Sequence, residues 1–266
     1  MSIKLTDKEF KLFKEYIHKI SGIHMRAEKR VLVESRLAKR LRHFGCASYQ
    51  EYYQLLQKDD HEKQMFIDII TTNETSFFRE PHHFEFLKQI VLPACSSHVR
   101  IWSAACSIGA EAYSAAMVCD EILTPRRINF EIACSDINVD VIKTAQMGLY
   151  PEKFTSQISQ KYLKKYCLRG KGSHAGHFII GEELKSHLLF RRLNLLEPLP
   201  NDMGEFDVIF LRNMLIYFDG PEKKAIVENV SKRLKKGGYL LIGHSESLFN
   251  ITDCVKQVKP TIYTKL

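Results

Sequence analysis

The chain has 266 residues, 39 Lys and Arg against 31 Asp and Glu for a net charge of +8, 45% hydrophobic residues, 13 Gly and 8 Pro. This excludes a disordered, collagen-like or low-complexity chain and fits one large folded domain or two modest ones. The longest stretch without Lys, Arg, Asp or Glu, residues 89–99, contains Pro93 and falls short of the ~18 apolar residues of a membrane span. With no apolar signal core at the N-terminus, the expected location is the cytoplasm.

Helical periodicity runs through residues 1 to about 70. Thr6 and Asp7 start the first helix, Gly22 and Gly45 separate the first three segments, and a further helix covers about residues 62–70. Between Arg26 and Arg42 there are seven Lys or Arg against Glu28 and Glu34. At about 100° per residue, Lys29, Arg36 and Arg40 fall within roughly 40° of one another, and Leu37, Leu41 and Phe44 take a neighbouring face. The helix is amphipathic with a basic side. That side is either a solvated face or an electrostatic dock for nucleic acid, anionic lipid or an acidic protein helix.

Beyond residue 98 the pattern changes. Strands are expected at Val99–Ala104, 128–135, Phe206–Leu211 and 238–243, with helices near 110–123, 139–147 and 221–235. This alternation predicts a parallel sheet covered on both sides, with its active groups at the carboxyl ends of the strands. The tail, 255–258 and Ile262–Lys265 around Pro260, reads as an antiparallel edge hairpin. Residues 160–194 break the alternation: a helix, 166–169, a turn with Gly170, Gly172 and Gly176, then His177–Ile180 and 188–194. They predict a small antiparallel β insertion.

The seven cysteines are never spaced as CxxC and read as reduced core thiols. The adjacent pair His82 and His83 is read as having no Cys, Asp or Glu at ligand spacing, so no metal site is expected. Three places carry chemistry. After the first strand, Ser103-Ala104-Ala105-Cys106-Ser107-Ile108-Gly109-Ala110-Glu111 lets a ligand approach the backbone and the positive end of a helix. It is neither GxGxxG nor a P-loop. The second strand ends at Asp136, about 27 residues beyond Gly109, where doubly wound folds bind ribose hydroxyls; the alternative role of Asp136 is to cap the next helix. The strand Phe206–Leu211 delivers Arg212, Asn213 and Tyr217, and residues 71–80 place polar groups around a Phe pair.

Thr-Asn-Glu-Thr-Ser-Phe-Phe-Arg-Glu from Thr72, Trp-Ser-Ala-Ala-Cys-Ser-x-Gly from Trp102, Ser-Asp-Ile-Asn from Ser135, Arg-Asn-x-x-Ile-Tyr-Phe-Asp from Arg212 and Gly-His-Ser-Glu-Ser from Gly243 occur in that order. In order and spacing they resemble the chemotaxis receptor methyltransferases, the CheR family, over nearly the whole chain. The resemblance implies a Rossmann-like α/β methyltransferase domain (residues 99–266) with the β insertion at about 163–193. A helical N-terminal domain (1–72) and a linker with a lead-in helix (73–98) precede it. It implies methyl transfer from S-adenosylmethionine to glutamate side chains of bacterial chemoreceptors, leaving S-adenosylhomocysteine.

Position by position, the resemblance puts Asn73, Thr75 and Arg79 along the cofactor's methionine end and the reaction centre. Glu111 meets the α-amino group and Asp136 the ribose. Asn194, Leu195, Arg212 and Asn213 complete the adenosine pocket, and Tyr217 lies near the transferred methyl, so that Arg79 and Tyr217 are the catalytic candidates. The family usually has Gly-Glu-Glu-Pro-Tyr-Ser after the first strand, whereas Gly109-Ala110-Glu111-Ala112-Tyr113-Ser114 lacks the first acid and the proline. Lys29, Arg36, Arg40 and Arg42 become candidates for docking the receptor's helical methylation region. The loop with Gly170, Gly172 and Gly176 is a candidate for capturing a receptor C-terminal peptide by strand addition. The protein is then a monomer recruited to receptor arrays at the membrane, neither inserted in the bilayer nor bound to nucleic acid.

A glutamate of pKa about 4.3 is ionised at neutral pH, so this chemistry needs no general base, only alignment and exclusion of water. Two other readings compete. A nucleic-acid methyltransferase is disfavoured because Arg-Asn-Met-Leu replaces the Asn/Asp-Pro-Pro-aromatic tetrad of base amino methylation and no Pro-Cys nucleophile is present. A non-catalytic cofactor-binding scaffold is disfavoured by the intact Asn73, Arg79, Glu111, Asp136 and Tyr217.

Overall fold

Thr6 opens the first helix with a capping box: its hydroxyl accepts the Glu9 amide and the Glu9 carboxylate accepts the Thr6 amide. Helix α1 (Asp7–Ser21) stops at Gly22 and α2 (Arg30–Phe44) at Gly45, both in the left-handed conformation that ends a helix without a Cβ clash. Helices α3 (Tyr49–Leu56) and α4 (Asp60–Ile70) start from Ser48 and Asp59, whose side chains accept the first free amides. The protein is described here by a computed structural model over residues 3–266. It divides into two compact units, one of residues up to Thr72 with Tyr217–Glu222, the other of Asn73–Ile216 with Lys223–Leu266.

In the first unit the Phe13 ring lies 5.6–6.3 Å from the rings of Tyr49, Tyr52, Tyr53 and Phe66, an aromatic centre joining α1, α3 and α4. Glu62 on α4 is fully buried and accepts from Tyr52 Oη at 2.6 Å and Arg40 Nε at 2.8 Å, with Arg40 Nη2 on its other oxygen. Arg36 donates to the carbonyls of Ile69 and Thr71, and Lys29 to Thr72 Oγ1 at 3.0 Å. The basic side of α2 thus faces inward. Lys29, Arg36 and Arg40 do share a face, but it is the one α4 and its C-terminal residues cover. Of the four docking candidates only Arg42 is exposed. The segment Tyr217–Glu222, expected within the methyltransferase domain, is held in this unit by His24, whose amide donates to the Tyr217 carbonyl at 2.7 Å and whose ring pairs with Asp219 at 3.2 Å.

In the second unit, the expected lead-in helix within residues 73–98 forms part of the core. Helix α5 (Pro81–Phe86) runs through a π-helical turn (Leu87–Val91) into α6 (Leu92–Ala94), and Phe84, Leu87, Val91 and Leu92 belong to the main core. Strand β1 (Val99–Ala104) leads to α7 (Ala110–Leu123), β2 (Phe130–Asp136) and α8 (Val139–Met147). Then come β3 (Leu149–Pro151), α9 (Gln160–Tyr166), β4 (Cys167–Arg169), β5 (His177–Ile180), α10 (Glu182–Lys185) and β6 (Leu188–Arg192). The chain ends through β7 (Phe206–Leu211), α11 (Gly220–Ser231), β8 (Leu234–Ile242), β9 (Val255–Lys259) and β10 (Ile262–Lys265).

The main sheet has the order β6-β2-β1-β7-β8-β10-β9, parallel from β6 to β8, with β10 antiparallel to both its neighbours. The small sheet, β3-β5-β4, is antiparallel. Two expectations for the insertion are corrected. The run 188–194 is not part of it, because β6 pairs in parallel with β2 as the edge of the main sheet; and Leu149–Pro151, for which the sequence pattern predicts no element, supplies its third strand. A three-residue strand has no usable periodicity, and the choice of sheet is made by partners far away in sequence.

Candidate active site

From β1 the chain turns to β2 on one side, and from β7 to β8 on the other, so the carboxyl ends of β1 and β7 flank the switch point where open α/β sheets bind ligands. Backbone strain is concentrated there. Of the non-glycine residues with positive φ, Phe78, Glu80, Ala105, Ser107 and Asn213 belong to the loops around these strand ends. Gly109, φ +85°, begins α7 where a Cβ would meet the Ala145 Cβ at 2.8 Å, so both its backbone and its space require glycine.

Asp136 is 8% exposed at the end of β2, and its two oxygens accept the Ser107 amide at 2.8 Å and the Asn138 amide at 2.9 Å. The cap of α8 is Asn138, whose Oδ1 accepts the Val141 amide, and not Asp136. Beside it, after β6, the side chain of Asn194 forms its own turn by accepting the Leu196 amide at 3.1 Å, and Leu195 is buried. On the other side, Ser107 Oγ donates to the Asn73 carbonyl at 2.8 Å, so the loop after β1 is tied at once to Asp136 and to the start of the 73–80 segment. Thr75 lies half-buried in that segment. Phe78 donates its amide to Ser114 Oγ at 2.9 Å, and the Phe77 ring sits among Tyr150, Phe154 and Phe178.

Glu111, in the first turn of α7, accepts from Ser103 Oγ at 2.6 Å and from Arg212 Nη1 at 2.9 Å. The Arg212 side chain is 1% exposed, and its guanidinium binds Glu111, the Arg79 carbonyl and, at 3.2 Å, Glu80 Oε2, with the Phe84 ring beneath it. On these sides the guanidinium is committed to carboxylates and a carbonyl of the surrounding loops. Asn213, the next residue, donates Nδ2 to Glu80 Oε1 at 3.1 Å and its amide to Glu246 at 2.9 Å. Gly243 is required beside it, since a Cβ there would lie 2.4 Å from Asn213 Nδ2.

Two acids emerge that sequence reasoning did not assign. Burial would raise the Glu80 carboxyl, but the His244 amide and the Arg212 guanidinium outweigh it and hold the group below the usual carboxylate range. Glu246 accepts the amides of Gly243, Asn213 and Leu215; burial nonetheless pushes its carboxyl up. Both were visible only as the acids inside the quoted motifs. Glu80 also corrects the reading of the His82-His83 pair, because ligand atoms of all three lie within 4.8 Å of one another. Burial, with Arg212 and His82 beside it, drives the fully buried His83 down to about 3, and the cation that Glu80 holds is Arg212.

Arg79 is half-buried and its guanidinium makes a single hydrogen bond, to the Glu74 carbonyl at 3.1 Å. Tyr217 belongs to the helical unit. Gly170, Gly172 and Gly176 lie in the turn between β4 and β5, the latter two with positive φ and open space around them. Thr124, Lys88 and other polar residues aside, the acids of α7 also serve the insertion: Asp120 and Glu121 accept from Tyr166 and Tyr162 of α9. A separate cleft of about 700 Å³, lined by Lys224, Ser231, Lys232, Lys265 and residues 250–254, contains none of the groups at the strand ends. No helix among the described residues is long and apolar enough to cross a membrane.

The two carboxylate acceptors at the switch point, Glu111 and Asp136, have the chemistry to receive an ammonium and a diol, the groups at the methionine and ribose ends of S-adenosylmethionine. Residues 8–71 match the family model of the all-alpha domain of CheR methyltransferases and residues 73–264 that of their SAM binding domain. Chemotaxis protein methyltransferase 2 of Pseudomonas aeruginosa is 37% identical, covering 97% of this chain and 93% of its own length. The chemotaxis protein methyltransferase of Escherichia coli K12 is 36% identical over 94% of this chain and 87% of its own. A looser structural likeness is to the N-methyltransferase NodS of Bradyrhizobium japonicum in complex with S-adenosylhomocysteine, with a TM-score of 0.39 and 15% identity, covering 69% of this chain and 72% of that one. Built of an all-α domain and a doubly wound S-adenosylmethionine-binding domain, the chain belongs to the CheR methyltransferases of bacterial chemotaxis.

Proposed function

We propose that the protein transfers the methyl group of S-adenosylmethionine to glutamate carboxylates of chemoreceptors, forming glutamate methyl esters. The observation that carries this reading is the contrast between two arginines. Arg212 is enclosed and committed to carboxylates of the site, whereas Arg79, whose backbone carbonyl Arg212 holds, keeps most of its guanidinium donors available. A fixed backbone with an uncommitted guanidinium suits an incoming carboxylate, which Arg79 orients by charge-assisted hydrogen bonds.

When bound, the cofactor supplies a methyl group on a cationic sulfonium. The carboxylate acceptor is already ionised, so the chain's task is to align it and to exclude water. Asn73, Thr75 and Glu111 serve the methionine end, Asp136, Asn194, Leu195 and Asn213 the adenosine, and Arg212 keeps Glu111 in place. Tyr217 adds a hydroxyl for the acceptor. The receptor's methylation helices are the partner. Arg42 remains a candidate contact for them, and β4, an edge strand with Leu168 exposed, presents the geometry for adding a receptor peptide strand near Gly170, Gly172 and Gly176.

Mass spectrometry of receptors incubated with the protein and labelled cofactor tests the reading. Label on glutamate that mild alkali releases as methanol is expected. Alkali-stable label would identify another acceptor class and overturn it.

A further inference from the structure

Three charged groups lie in line between the 73–80 segment and α7. Glu80 Oε2 is 3.2 Å from Arg212 Nη2, and Arg212 Nη1 is 2.9 Å from Glu111 Oε2. All three side chains are mostly or wholly buried, Arg212 almost completely. Had Arg212 only Glu111 to answer to, the pair would be neutral, and the one carboxylate available for the cofactor's ammonium would be compensated. Glu80 changes that balance. Two carboxylates share one guanidinium, and the cluster carries a net charge of −1. His83, 3.6 Å from Glu80, adds nothing to the sum, because burial and Arg212 keep it neutral.

Glu80 is placed for this role by more than one bond. Its φ of 54° is unfavourable for a glutamate, and its Oε1 accepts the His244 amide and Asn213 Nδ2, both at 3.1 Å. One side chain thereby connects the ends of β7 and β8 to the segment that bears Arg79. We propose that Glu80 is a positioning residue of the cofactor site: by taking up half of Arg212 it leaves the cluster of Glu80, Arg212 and Glu111 with one uncompensated negative charge, whose field reaches the sulfonium that S-adenosylmethionine has and S-adenosylhomocysteine lacks. S-Adenosylmethionine carries one more positive charge than S-adenosylhomocysteine, so the loss of one negative charge from the cluster penalises the first more than the second.

The experiment needs no receptor, so it stands or falls separately from the identity of the acceptor. Calorimetric Kd values for S-adenosylmethionine and S-adenosylhomocysteine are measured for the wild type, E80Q and E80D, with thermal melting of each. Glu80→Gln keeps the shape and an oxygen for the His244 amide and Asn213. The ratio Kd(S-adenosylmethionine)/Kd(S-adenosylhomocysteine) is expected to rise about tenfold, the effect of a unit charge across roughly 10 Å at an effective dielectric of about 20. Glu80→Asp, which retains the charge, is expected to leave the ratio within about twofold of wild type. Equal weakening of both ligands by E80Q would mean a merely structural role and overturn the proposal, as would an unchanged pair of Kd values. Should E80Q fail to fold, E80Q/R212Q removes the whole ion pair and restores a net charge of −1. A wild-type ratio there supports the proposal and a ratio shifted tenfold overturns it.

Discussion

The carboxylate of Asp136 accepts the amide of Ser107 at 2.8 Å, so the acid at the end of β2 fixes the backbone of the loop that follows β1. Ser107 has φ 50°, and its hydroxyl reaches on to the Asn73 carbonyl. One carboxylate therefore shapes the loop between β1 and α7 and, through Ser107, its tie to Asn73. Asp136→Ala should lower S-adenosylmethionine affinity by roughly 10- to 150-fold, the loss of a charge-assisted hydrogen bond of ~1.5–3 kcal/mol. It should also lower stability by about 1–3 kcal/mol, since buried amides lose their acceptor. Calorimetry and denaturant unfolding measure the two; unchanged cofactor affinity would refute the assignment.

Arg79→Ala should act on turnover and spare the fold. The guanidinium makes one hydrogen bond, so the stability loss should stay within about 0.5–1 kcal/mol, while the methylation rate falls at least about tenfold. Tyr217→Phe should be milder, because the ring remains. Methylation rates close to wild type for R79A would remove Arg79 from the reaction centre.

The docking role of α2 must be tested away from Arg40. Reversing Arg40 to Glu would set it against the buried Glu62 carboxylate, and Glu62→Ala would strand Arg40 and the Tyr52 hydroxyl; either should cost the helical unit about 3–5 kcal/mol. Arg42→Glu, on an exposed side chain, should leave melting and cofactor affinity alone. If α2 contacts an acidic receptor helix, R42E should raise the receptor KM and flatten its salt dependence. Equal KM values and salt slopes would make α2 a structural helix with a solvated outer face.

Acid should loosen the contact between α7 and α9. Burial opposes ionisation of Glu121, but Lys161, Lys88 and Tyr162 overcome it and draw the carboxyl down to about 2; Asp120 is lowered likewise, against burial, by Lys165, Thr124 and Tyr166. Carboxyls depressed in the folded state contribute stability that is present above the ordinary carboxylate pKa and lost as pH falls from about 4.5 toward about 2. Glu80 works in the same sense and the raised Glu246 in the opposite one. The urea midpoint should fall between pH 6 and pH 3, and Glu121→Gln should flatten that fall. A pH-independent difference between the two proteins would contradict the ion-pair account.

What the sequence determined by itself is local or periodic. The capping box at Thr6, the left-handed stops at Gly22 and Gly45 and the alternation of strands with helices are written within a few residues of where they act. That the loops after β1, β2 and β7 are neighbours could be read from strand assignments, because a parallel sheet delivers its loops to one edge. Tertiary structure decided the rest. Whether 188–192 joined the small sheet or the large one depended on β2, more than 50 residues upstream. The basic stripe of α2 turned inward because Glu62, 22 residues after Arg40, is buried and its charge must be matched. The acidic partners of Arg212, Glu80 and Glu111, likewise come from 132 and 101 residues away. Charge pairing acts through space at a few ångströms, and residue spacing along the chain carries no record of it.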